Sequence, residues 1–168
     1  LHAVLPGIPL WLDEGLAEFF EVPQPANGFH QEHTDHLTGR LLAGTWQPRI
    51  ERLEELEDAA AMSQDHYAEA WCWVHWLLRT TPQRRQLIED YLHDLRRDTV
   101  TLPLSARLRE LEGPPAATTR AVREHLESLW VFSPPMIDLC WCTGELSQKV
   151  SPAPIGKNPV SRRALRQL

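Results

Sequence analysis

Proline and glycine cut the first 132 residues of this chain into short segments, and within each the apolar residues recur at three- and four-residue steps. Pro9 precedes the periodic run Leu10 to Val22, which Pro23 and Pro25 close. Asn27-Gly28 reads as a turn, and His30 to Ala43 as a second helix ended by Gly44. Pro48 opens Ile50 to Asp58, and Ser63 caps a long helix to Arg79. The Thr80-Thr81-Pro82 break starts Pro82 to Arg97, where Leu87, Ile88, Tyr91, Leu92 and Leu95 form one stripe. Leu104 to Leu111 and Ala116 to Trp130 complete the set. No run alternates polar and apolar residues and no internal repeat is present, so the expected fold class is mainly α, a helical bundle over residues 1–132.

The whole chain has 168 residues, enough for one core. Five Lys/Arg against two Asp/Glu give residues 133–168 a charge of +3, and the total of −6 leaves −9 for residues 1–132. With Pro134, Pro135, Pro152 and Pro154 and no apolar periodicity, residues 133–168 are expected to form a basic, Pro-rich tail with little fixed structure. The acidic balance would repel a phosphate backbone, so no nucleic-acid partner is expected. The longest strongly apolar stretch, Ala70 to Leu78, is about half the ~20 residues a bilayer span needs and contains His75, so no transmembrane segment is expected either. Cys72, Cys140 and Cys142 include no C-x-x-C pair and support neither a disulfide framework nor a cysteine zinc site. Compartment and oligomeric state have no signature here.

The chemistry concentrates in Trp11-Leu12-Asp13-Glu14-Gly15-Leu16-Ala17-Glu18-Phe19-Phe20-Glu21. Glu14, Glu18 and Glu21 stand at i, i+4 and i+7, one face of a helix. Like charges at this spacing destabilise an isolated helix by a few tenths of a kcal/mol per pair, and Gly15 adds roughly 1 kcal/mol relative to Ala. A cation or a set of imidazoles would compensate; a solvated acidic face is the plainer alternative. His30, His33 and His36, with Glu32 and Asp35, recur every three residues. That row reads first as a solvated face and second as a metal site, because six residues at 3.6 per turn leave the outer pair about 120° from converging. His75, among Trp71, Trp73 and Trp76, reads as a hydrogen-bonded core histidine, whereas His66, His93 and His125 carry no spacing signal.

Trp-Leu-Asp-Glu-Gly-Leu-Ala-Glu-Phe-Phe-Glu resembles the second zinc-binding helix of gluzincin metallopeptidases, the W-L-N-E-G-x-A-x-Y-x-E pattern of aminopeptidase-N-like enzymes. With Ile8-Pro9-Leu10, the stretch His30 to Pro48 and Tyr67 to Leu78, residues 1–130 are similar to a bacterial family of peptidase-MA-like proteins. The resemblance implies that the bundle is the C-terminal helical side of a gluzincin-like domain. It implies Glu14 as a zinc ligand, Glu18 as a carboxylate orienting a ligand histidine, and Glu21 in a supporting role. Tyr67 begins Y-x-x-A-x-x-W-V-x-x-L, similar to the segment whose tyrosine donates to the tetrahedral oxyanion, although the Lys-Gly of that segment is replaced by Glu69-Ala70. The substrate would be a peptide or protein. H-E-x-x-H, which supplies two histidine ligands and the general base, occurs nowhere in the chain. The expectation is therefore that it lies just before Leu1, and that residues 1–168 alone are inactive and hold no zinc stably. The alternative class is a noncatalytic helical module whose acidic and Trp-rich helices bind a peptide or partner.

Overall fold

The computed structural model describes Leu5 and residues 7–23, 26–97 and 101–132. The expected tail from residue 133 lies outside them.

The described residues form seven α-helices and no strand: α1 (Leu10–Glu21), α2 (Gln31–Leu42), α3 (Ile50–Glu54), α4 (Gln64–Arg79), α5 (Pro82–Arg96), α6 (Leu104–Glu112) and α7 (Pro115–Phe132). This is the mainly α bundle that the periodicity predicts. Thr81 caps α5 by accepting from the Arg84 N–H at 3.2 Å, and the Ser63 N–H at the start of α4 donates to His66 Nδ1 at 3.1 Å. The third helix is shorter than expected, ending at Glu54 and followed only by a 3-10 turn at Ala59–Ala61. Glu54, Glu55, Glu57 and Asp58 would all sit on the negative end of a longer helix dipole. Glu54 is also drawn off to accept from the Ser105 N–H at 2.9 Å.

Helix α4 is the axis. Every residue from Ala68 to Leu77 is buried, and α1, α2, α3, α5 and α7 all pack on it, α1 most extensively. A helix apolar on all sides belongs in the middle of a bundle, whereas α1 and α7 show one apolar face each. The α1–α4 approach is set by Gly15: a Cβ there would lie 2.7 Å from the Ala70 carbonyl oxygen and 2.9 Å from Val74 Cγ2. The glycine that costs α1 intrinsic helicity lets two backbones meet.

Glu69 is fully buried on α4. It accepts from the Trp46 indole at 2.9 Å and the Arg49 N–H at 2.7 Å, and it pairs with the Arg52 guanidinium. One carboxylate thus ties α4 to the segment entering α3. No described helix is long and apolar enough to cross a membrane.

Candidate metal centre

After α1 the chain reverses through Pro23, Asn27 and Gly28, the last two in the left-handed region at φ 54° and 81°. Gly28 is obligatory in space as well as in torsion, since a Cβ there would fall 2.1 Å from the Phe19 ring. Its carbonyl accepts from the buried Trp71 indole at 2.8 Å, which pins the turn to α4. The connection is so short that α2 must start beside the last turns of α1. Glu18 on α1 then meets the first two histidines of the second segment.

Glu18 Oε2 lies 2.9 Å from His33 Nε2 and 3.7 Å from His30 Nε2. The two imidazoles stack, centroids 3.9 Å apart and planes 20° apart, with His33 also 5.7 Å from the Trp71 ring. His30 is the N-cap of α2, its Nδ1 accepting from the His33 N–H at 3.4 Å. An accepting Nδ1 leaves the proton of a neutral His30 ring on Nε2, and because a carboxylate only accepts, His33 also presents an Nε2–H to Glu18. Burial holds the His33 pKa below the usual histidine value, against the raising effect of the Glu18 hydrogen bond, with the neighbouring His30 lowering it further. One donor atom from each of Glu18, His30 and His33 lies within 4.8 Å of the others.

His36 leaves the row. Its Nε2 bonds Asp65 at 2.6 Å, and Arg40 joins the same carboxylate at 2.8 Å. The solvated face expected of the three histidines is therefore only partly present: His33 is buried, and His36 is held by α4. Glu14 is half-buried and Glu21 is exposed, and neither has a hydrogen bond or ion pair among the described residues. Tyr67 is half-buried at the end of the first turn of α4, its hydroxyl likewise without a partner among the described residues. The structure brings Glu18 together with two histidines and leaves Glu14, Glu21 and Tyr67 outside that contact.

Deeper along α4, His75 Nδ1 lies 2.9 Å from His125 Nε2. His75 is thus a hydrogen-bonded core residue, and its partner is a histidine whose position in the sequence gives no hint of it. Burial is the main cause that pulls His75 down to about 3 and His125 to about 4, with Arg79 adding to the first and Arg84 to the second. Both rings are neutral at pH 7.

A signal for the Glu18 contact was present in the nine residues between α1 and α2, whose turn chemistry confines α2 to a reversal beside α1. Comparison with known protein families, curated proteins and solved structures finds no match.

Proposed function

We propose that this chain provides the helical side of a zinc-dependent peptidase site, in which α1 presents Glu14 to a metal whose histidines and general base come from outside residues 1–168. The observation that carries this reading is the Gly15–Ala70 approach. It gives the glycine of the W-L-D-E-G-x-A-E pattern a physical reason: the residue after Glu14 must lie flat on α4, three residues from Tyr67, so the register of Glu14 is fixed against the helix carrying the tyrosine. Glu14 is half-buried and has no side-chain partner among the described residues.

The residues present do not by themselves fit the zinc implied by the resemblance. A catalytic zinc takes three protein ligands, and Glu14 has no described histidine on it. This chain's part in the reading is confined to Glu14 as a ligand, α1 as its rigid support, and Tyr67 as a hydrogen-bond donor to a developing oxyanion.

The test is to examine the sequence encoded before Leu1 for H-E-x-x-H and to assay the product that spans both. Glu14→Gln is expected to abolish peptide hydrolysis together with retention of the zinc held through H-E-x-x-H. Tyr67→Phe is expected to keep zinc and lower turnover by about 10²-fold or more, the effect of losing one oxyanion donor. Full hydrolysis after Glu14→Gln, or no H-E-x-x-H within reach, removes the reading.

The interaction-module alternative draws on the Trp-rich helix, but Trp71, Trp73 and Trp76 are at most 1% exposed. A partner would have to use another surface.

A further inference from the structure

Of the three carboxylates on the acidic face of α1, Glu18 is the one met by two imidazoles, and the three side chains bring their donor atoms together as a metal site would. We propose that Glu18, His30 and His33 form a binding site for one divalent transition-metal ion of the zinc class, separate from Glu14 and complete within residues 1–168. This rests on the described residues alone and stands or falls independently of the peptidase reading.

Two imidazole nitrogens and a carboxylate oxygen are borderline donors, which suit zinc and its neighbours rather than calcium or magnesium. Donors around a tetrahedral zinc at ~2.0–2.1 Å lie roughly 3.3 Å from one another. The three donors already lie within 4.8 Å of one another, and Glu18 and His33 within 2.9 Å. Closing the set takes side-chain torsion of about 1.5 Å at most. The helices need not move: His30, the N-cap, and His33 in the first turn of α2 already stack, and the turn pinned by Trp71 fixes α2 against α1.

The protonation balance is simple. A cation takes the position between Glu18 Oε2 and the two Nε2 atoms, and each neutral ring keeps its single proton by carrying it on Nδ1. His30 then gives up its long cap bond to the His33 N–H. The side chains of Glu18, His30 and His33 are 22%, 19% and 11% exposed, so an ion reaches them from solvent without the bundle opening. That opening leaves a fourth position for water, the coordination of a site that retains a free place rather than a closed structural one.

The full 168-residue chain, dialysed against a chelator, should be titrated with zinc chloride by calorimetry and with cobalt(II), whose visible absorption distinguishes tetrahedral from octahedral coordination. One equivalent of zinc and a tetrahedral cobalt spectrum are expected. Glu18→Gln, which is nearly isosteric, and His33→Gln should each weaken zinc by more than about tenfold. His36→Gln should leave binding unchanged, because His36 is occupied by Asp65. If His33→Gln fails to fold, as judged by helical circular dichroism, His30→Gln takes its place. The proposal is overturned by absence of zinc binding in the folded chain, by binding that persists in both Glu18→Gln and the histidine variant, or by binding lost in Glu14→Gln but kept in Glu18→Gln.

Discussion

Gly15 shows how one residue carries opposite costs in sequence and in structure. In an isolated helix Ala at this position would be favoured by roughly 1 kcal/mol. In the bundle its Cβ meets backbone atoms of Ala70, which cannot rotate away. Overpacking of this kind costs typically about 1–3 kcal/mol, so the packing term wins. Gly15→Ala is expected to lower the unfolding free energy by about 1 kcal/mol or more in a urea titration, and a stabilised Gly15→Ala chain would show that α1 and α4 are not in backbone contact. The same residue was legible in the sequence only as a helix defect beside three carboxylates.

Elements explain what single residues leave open. Helix α4 was recognisable as a long helix, but an apolar run that follows Glu69 and contains His75 gives no sign of which partners satisfy those two groups. The partners come from other elements: the segment entering α3 for Glu69, and α7 for His75. Replacing Glu69 by Leu would leave the buried Trp46 indole without its acceptor, a cost of about 1–3 kcal/mol, and would take the acceptor from the part-buried Arg49 N–H as well. Arg52, whose side chain is 41% exposed, recovers water and adds little. Glu69→Leu is therefore expected to destabilise the fold by about 3 kcal/mol in chemical denaturation, and Glu69→Gln, which keeps one acceptor oxygen, by distinctly less. A Glu69→Leu loss below about 1 kcal/mol would mean that water reaches the indole and amide.

At the scale of the whole molecule, the buried histidine pair couples folding to pH. The unfolded chain takes up protons near the ordinary histidine value of 6.5, while folded His75 and His125 resist until about 3 and about 4. The unfolded state thus binds more protons throughout that window, so the stability contributed by the pair is complete above about pH 6.5 and is lost as pH falls. The slope approaches roughly 1.4 kcal/mol per histidine per pH unit between pH 6 and 4. His33, also lowered by burial, acts in the same direction. Denaturation midpoints at pH 7.5, 6 and 5 should fall in that order, and His125→Gln should flatten the dependence; equal midpoints would mean that the pair is hydrated. The sequence by itself determined the number, order and approximate limits of the helices, because period and punctuation are local and act before any tertiary contact forms. It also marked α1 as the helix where charge demands compensation. Only the tertiary structure decided where that compensation comes from: Glu18 rather than Glu14 meets imidazoles, His33 rather than His36 is the close partner, and His75 finds His125 fifty residues away. Those pairings depend on how a turn reverses the chain and on which faces α4 buries, and neither can be read from spacing along one helix.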